Sequence, residues 1–204
     1  MSQQMSQHSA PTPPLNAAPL LAVLDACVLV PLIVREVLFA AAAQGLFAPR
    51  WTTRIEEEWR GAALKEARGL PLEAIEGDLA VARLRFPDAL VQGWEAHEGP
   101  LSLPDWNDRH VLAAAIAAGA AVLVTDNLRD FPRKRLAPHG VRAVGSDAFL
   151  IELSQTNGPA LGRALAEIMA QAPSHAQTGG APALLKRARL PRLAKAASRG
   201  FEPH

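Results

Sequence analysis

Acidic residues stand at three points of the sequence where a strand or a helix is expected to begin or end. Asp25 ends the apolar run "LLAVLD", and Asp105 and Asp108 precede the alanine-rich stretch "HVLAAAIAAG". At the third point, "AVLVTDN", Asp126 and Asn127 follow another apolar run. Taken singly, each of these residues has an ordinary explanation as a helix cap or a turn residue.

The positions of these residues in a sheet suggest a shared role. The two apolar runs are typical of strands that are buried on both faces of a parallel sheet. Ligands of such sheets bind beyond the carboxyl ends of the strands, and all three acidic groups map to that edge. Carboxylates gathered there repel one another unless a cation neutralises them. Oxygen ligands without a His or Cys cluster favour Mg²⁺ or Mn²⁺, ions that support the hydrolysis of phosphate linkages.

The hydrophobic pattern predicts an α/β fold in which helices alternate with short strands. Strands are predicted around residues 22–24 and 121–124 and in "GVRAVG". Helices are predicted in "VPLIVREVLFAAAAQG", "WTTRIEEEWRGAALKEARG", "LEAIEGDLAVARLRF" and "DALVQGWEAHEG", and from about Trp106 to Ala118. The segments "SDAFLIELSQ" and "GPALGRALAEIMAQ" are predicted to be closing helices.

Length and charge divide the 204 residues into a body and two appendages. Residues 1–20 are rich in Gln, Ser and Pro, which predicts a disordered leader. Residues 21–154 form the predicted domain, and residues 155–204 a helical and basic C-terminal extension. Residues 1–154 hold 14 Lys/Arg and 18 Asp/Glu, whereas residues 155–204 hold 7 and 2. The extension is therefore either a cationic arm beside an acidic body or a solvated, frayed terminus.

Cysteine usage and the length of the apolar runs indicate the cellular compartment. A single cysteine, Cys27, cannot form an internal disulfide, and no signal peptide is recognisable. The longest apolar run, residues 111–125, is too short to span a membrane. We therefore expect a cytoplasmic protein without a membrane partner.

Three other enzyme classes fit the sequence poorly. Phosphatases of the haloacid-dehalogenase type carry a second Asp two residues after the strand-ending Asp, a position that Cys27 occupies here. Neither His nor Lys lies near Cys27 in sequence, so we interpret it as a buried small apolar group rather than a catalytic thiol. A dinucleotide fold needs glycines after the first strand, and "DACVLVP" has none.

The order of "VLDACVLV", "WTTRIEEEW", "DWNDRHVLAAA" and "VLVTDNLRDF" resembles the PIN-domain ribonucleases, in particular the VapC-like toxins of bacterial toxin/antitoxin pairs. The resemblance covers about residues 21–154. It implies a three-layer α/β PIN-like fold with a short central parallel sheet flanked by helices. It also implies a divalent-metal-dependent endoribonuclease with an RNA substrate and a cognate antitoxin protein, and it is compatible with a homodimer.

By position, the family's metal site falls on Asp25, Glu58 and Asp108, with Asn127 in the fourth place and Thr125 as the hydroxyl beside the acids. The ligands implied for Mg²⁺ or Mn²⁺ are Asp25, Asp108 and Glu58, with Asp126 as a weaker candidate, and Asp126 or Asp130 could compensate for the neutral Asn127. Asp105 is a helix cap or an outer helper, His110 a packing residue and Arg109 a surface charge.

Two alternatives stay open for the site glutamate and for the function. Glu56, Glu57 and Glu58 are consecutive, so the glutamate of the site is ambiguous; Glu58 is chosen because it shares a helix side with Ile55. The second alternative is a non-catalytic PIN-like module that binds RNA or a partner protein.

Overall fold

A four-stranded, all-parallel sheet forms the centre of the fold. The computed structural model describes residues 19–66, 71–171 and 178–201. The strands are β1 (Leu21–Leu24), β2 (Ala48–Arg50), β3 (Val122–Val124) and β4 (Arg142–Val144), in the order β2-β1-β3-β4. The strands predicted from apolar runs, β1 and β3, are central neighbours and are almost completely buried.

Helices flank this sheet, so the three-layer α/β architecture is confirmed. In chain order, the first five helices are α1 (Ala26–Leu29), α2 (Leu32–Ala43), α3 (Thr53–Glu66), α4 (Leu72–Arg85) and α5 (Glu95–Glu98). The next five are α6 (Arg109–Ala118), α7 (Arg133–Leu136), α8 (Ser146–Gln171), α9 (Gly180–Arg187) and α10 (Pro191–Arg199). Single 3₁₀ turns occupy Trp106–Asp108, Leu128–Asp130 and Ala137–His139.

Helix α6 sets the position of the acids that precede it. Ala113, Ala114 and Ala115 are fully buried, and these small side chains let α6 pack against β1, β2 and β3. The helix ends at Gly119, whose φ of 63° is a left-handed conformation that glycine adopts without strain. Because the chain then enters β3 directly, the N-terminal end of α6, at Asp108, lies at the carboxyl edge of the sheet.

Four elements differ from the sequence prediction: the short helices α1 and α7 were not predicted, and β2 and the segment before α5 differ as follows. Strand β2 was not predicted, because its three residues include Pro49 and show no hydrophobic alternation. The helix predicted in "DALVQGWEAHEG" is wrong over its first half, where Leu90 pairs with Trp51 in an isolated bridge. Only Glu95–Glu98 is helical there, because the backbone of residues 89–91 bonds to Trp51 instead of forming a helical turn.

The C-terminal extension folds back onto the domain. Helix α8 kinks at Asn157, whose side chain accepts a hydrogen bond from Ala160 N at 3.1 Å, and α9 and α10 pack against α8. The predicted boundary at residues 154 and 155 falls inside α8, just before the kink. The predicted leader lies almost entirely outside the described residues, as does most of the predicted linker "APSHAQTGGAP". In the described ranges, no helix has the length and apolar character that crossing a membrane requires.

Candidate metal centre

Asp25 and Thr125 meet directly at the carboxyl edge of the sheet. Strands β1 and β3 are paired with Leu24 opposite Val124, so the next residue of each strand emerges at the same place. The Thr125 hydroxyl donates to Asp25 Oδ2 at 2.7 Å, and the Cys27 thiol donates to the same oxygen at 3.2 Å. Asp25 makes no side-chain cap of α1, so the capping explanation for this residue does not hold.

Asp108 holds the most informative carboxylate of the site. It precedes α6 without capping it, and its Oδ2 atom is buried with no hydrogen-bond partner among the described residues. Burial, followed by the nearby charges of Asp25, Asp105 and Asp130, raises the pKa of Asp108 to about 6. A buried, unpartnered carboxylate oxygen surrounded by other acids is a costly arrangement that a cation would relieve.

The turn after β3 contributes an amide and a further acid. Asn127 Nδ2 donates to Asp130 Oδ2 at 2.5 Å, and Arg129 Nε donates to Asn127 Oδ1 at 3.2 Å. The Thr125 hydroxyl accepts the Asn127 backbone N–H at 3.1 Å, which fixes the start of the turn. Asp130 is only 15% exposed and acts electrostatically on Asp108. From the sequence, Asp130 was expected only as a charge that could compensate for the neutral Asn127. Its spacing of three residues from Asn127 was the sequence feature that indicated the contact, since residues three apart are neighbours in a 3₁₀ turn.

Two of the other acids are engaged in capping. Asp105 Oδ1 accepts the Asn107 backbone N–H at 2.9 Å, as the helix-cap interpretation expected. The Asp126 carboxylate turns towards β4 and α8, where it accepts the Ser146 backbone N–H at 2.8 Å and the Ser146 hydroxyl at 3.0 Å. The structure therefore places Asp126, the weaker metal candidate, in a helix-start interaction rather than in the acid cluster.

The three consecutive glutamates have three different environments. Glu56 is buried and accepts hydrogen bonds from the Trp51 indole and from the Arg83 guanidinium. Glu57 is exposed. Glu58 is 40% exposed and its Oε1 lies 2.8 Å from His110 Nε2, in the turn of α6 next to Asp108. Of the three, Glu58 combines accessibility with proximity to the α6 start.

Cys27 and His110 depart in detail from the packing roles expected for them. Cys27 is half-buried. It is not a purely apolar packing residue, because its sulfur contacts the Asp25 carboxylate and the Thr125 hydroxyl. Burial, followed by the charge of Asp25, raises the pKa of its thiol to about 12, which excludes a thiolate nucleophile near neutral pH. His110 is buried against the Trp94 ring, and neither ring nitrogen has a hydrogen-bond partner among the described residues, despite the close Glu58 contact.

The chemistry of these donors fits a hard divalent cation. Every candidate ligand is an oxygen, and the orphaned Asp108 Oδ2 with its acidic neighbours supplies the negative charge that such an ion requires. Across the described ranges, no three Asp, Glu, His or Cys side chains already stand where they could hold one ion together. Binding would therefore require side-chain rotation to bring the acids onto a common cation.

Comparisons with known proteins identify the family of the chain. A model of the PIN domain matches residues 22–129, which is more than half of the chain. The chain belongs to the PIN-domain family. Over 47 residues this PIN domain is 47% identical to a curated protein of Mycobacterium tuberculosis named "Putative ribonuclease VapC50". That segment covers 23% of the chain and 28% of the relative's length, and no solved structure matches the chain.

Proposed function

We propose that this PIN-domain protein is a divalent-metal-dependent endoribonuclease and the toxin of a toxin/antitoxin pair. The observation that carries the proposal is the Asp108 carboxylate: its Oδ2 atom is buried without a partner among the described residues, and burial together with three nearby acids raises its pKa to about 6. Its position at the carboxyl edge of a parallel sheet is where ligands of such folds bind. The name of the VapC50 relative supports RNA as the substrate.

Asp25 and Asp108 are the principal ligands in this proposal, with Glu58 and Asp130 completing the acidic surroundings. A bound Mg²⁺ or Mn²⁺ would supply charge neutralisation at the scissile phosphate and an activated water. Thr125 holds the Asp25 carboxylate through its 2.7 Å hydrogen bond and so fixes the orientation of that carboxylate. The Asn127 amide, fixed by Asp130, is placed to orient a phosphate oxygen or a water.

Cleavage of RNA by the purified chain tests this proposal. We expect Mn²⁺ or Mg²⁺ to support cleavage of a labelled RNA pool and EDTA to abolish it. Asp25→Asn removes a charge at nearly constant shape, and we expect it to abolish cleavage and growth inhibition in a bacterial host while the protein stays folded. Asp88→Asn is the matched control, because Asp88 is exposed in the turn after α4. Metal-independent RNA binding without cleavage by the wild type would instead favour a non-catalytic binding module.

The proposed partners are a cognate antitoxin and a second copy of the chain. The toxin assignment requires an antitoxin that suppresses growth inhibition when both proteins are expressed together. Light scattering of the purified chain tests the homodimer, and a monomeric mass at working concentration would exclude it.

A further inference from the structure

A cavity lies between the C-terminal extension and the acidic edge of the sheet. Its volume is about 440 Å³, and its wall includes Cys27 and Asp126 from the PIN domain and Arg187 and Arg189 from the extension. The Cys27 sulfur lies 3.2 Å from Asp25 Oδ2, so a single side chain lies between the cavity and the candidate metal centre. The folded extension therefore brings arginines beside a site that is built of acids.

The backbone of Arg189 has an unusual conformation. Its φ of 61° is left-handed, and among the described residues no other non-glycine has a positive φ. The residue follows the C-terminal end of α9, a place where glycine is the common choice because it has no Cβ to strain. Strained positions of this kind cluster at functional sites. An arginine here costs stability, which suggests that its side chain has a use.

The Arg189 side chain is available for a ligand. It is exposed, and no hydrogen bond or ion pair with the described part of the chain engages its guanidinium. The acid on the same cavity wall, Asp126, already accepts two hydrogen bonds from Ser146. Within the described ranges, Arg189 therefore lines the cavity without a side-chain partner of its own, whereas the Asp126 carboxylate on the same wall has partners.

The extension that carries Arg189 is firmly docked. Asp147 caps α10 by accepting the backbone N–H groups of Arg192 and Leu193, both at 2.9 Å. Phe201 packs so closely on α8 that a Cβ placed on Gly158 would lie 3.1 Å from it. Because both ends of α10 are held, Arg189 keeps a fixed position relative to the acid cluster.

We propose that the cavity between the extension and the PIN domain binds a backbone phosphate of the RNA through the Arg189 guanidinium, beside the phosphate that is cleaved. This inference rests on the proposed function. The acids of the candidate metal centre repel a polyanion, whereas residues 178–201 contain six Lys/Arg and no acid. A guanidinium suits a phosphate because its planar donors can bind two of the oxygens at once.

RNA binding by the full chain in EDTA tests the proposal independently of cleavage. The affinity for a labelled single-stranded RNA is measured at several salt concentrations for wild type, Arg189→Ala and Arg199→Ala. Arg199 is the matched control, an exposed arginine of the same extension that does not line the cavity. We expect Arg189→Ala to weaken binding several-fold and to lower the salt slope by about 0.7, the value for one phosphate contact with a single strand. Arg199→Ala should change affinity by less than about twofold.

The substitution Arg189→Gly separates binding from folding. Glycine suits the left-handed backbone, so we expect a higher Tm than wild type together with the loss of RNA affinity seen for Arg189→Ala. With metal present, KM for RNA should rise by a larger factor than kcat falls. Unchanged RNA affinity in either Arg189 variant, or an equal loss in Arg199→Ala, would overturn the proposal. Failure of wild type to cleave RNA would count against the proposed function alone, because the binding comparison does not depend on cleavage.

Discussion

Replacing Asp108 by asparagine should stabilise the metal-free protein. Burial and the charges of Asp25, Asp105 and Asp130 raise the pKa of Asp108 from 3.8 to about 6. A rise of about two pKa units corresponds to a cost of at most about 3 kcal/mol above pH 6, at 1.36 kcal/mol per unit. Because the carboxyl group is partly open to solvent, which screens these charges, we expect about 1.5 kcal/mol.

The sign of the pH dependence follows from linkage. The folded carboxyl group holds its proton more tightly than the unfolded one, so wild-type stability declines as the pH rises from about 4 to about 6. Asparagine carries no charge at any of these values. The advantage of Asp108→Asn should therefore be small near pH 4.5 and fully present at pH 7.5.

Thermal unfolding in EDTA measures this effect. At pH 7.5 the gain corresponds to an increase in Tm of about 3–6 °C for a domain of this size. Addition of Mn²⁺ should make the Tm of wild type the higher of the two, because the ion stabilises wild type whereas the variant lacks one of its ligands. Asp88→Asn serves as the control and should match wild type in every condition. If Asp108→Asn is no more stable than wild type at pH 7.5 in EDTA, the electrostatic account of the acid cluster is refuted.

Three further predictions concern the consecutive glutamates, the Thr125 hydroxyl and the docking of the C-terminal extension. Glu56→Gln should destabilise the fold by about 1–3 kcal/mol because it disturbs a buried, charge-assisted hydrogen-bond pair, whereas Glu58→Gln should reduce RNA cleavage without lowering Tm. The Glu57 side chain is exposed, so Glu57→Gln should change neither cleavage nor Tm. Equal losses of cleavage in all three variants would contradict the choice of Glu58 as the glutamate of the site. Thr125→Val keeps the shape but removes the 2.7 Å hydrogen bond to the strand-ending acid, so metal-dependent cleavage should fall at least about tenfold while circular dichroism is unchanged; full activity would show that the hydroxyl is dispensable. Asp147→Ala uncaps α10 at a cost of about 1 kcal/mol, and hydrogen exchange should accelerate in residues 191–199 but not in the sheet; uniform acceleration would show that the extension does not open separately.

The two central strands were predictable from sequence because their signals are local and strong. The runs that form β1 and β3 are apolar at every position, which marks strands buried on both faces. Gly119 marked the end of α6, and its left-handed backbone in the structure is the reason that glycine is suited to that place. By contrast, β2 has only three residues, and it is a strand because it pairs with the distant β1. No local sequence pattern encodes that pairing.

The candidate site was predictable in composition but not in detail. Strand order explains why Asp25 and Thr125 are neighbours, since parallel strands end at one edge. Which acids are free could not be read from the sequence, because Asp126 and Glu56 find partners in Ser146 and Arg83, which are 20 and 27 residues away.

The packing of the basic extension beside the acids was equally hidden from sequence. It depends on the Asp147 cap of α10 and on the contact between Phe201 and Gly158, neither of which has a sequence signature. Long-range side-chain partners thus decide which polar groups of this chain remain available for chemistry.

Direct titration of the protein with Mn²⁺, followed by electron paramagnetic resonance of the free ion, tests the central claim. We predict saturable binding to wild type and to Asp88→Asn, and its loss in Asp25→Asn and in Asp108→Asn at pH 7.5. Binding that survives both substitutions, or wild-type protein that leaves the free Mn²⁺ signal unchanged, would show that these acids do not form a metal centre.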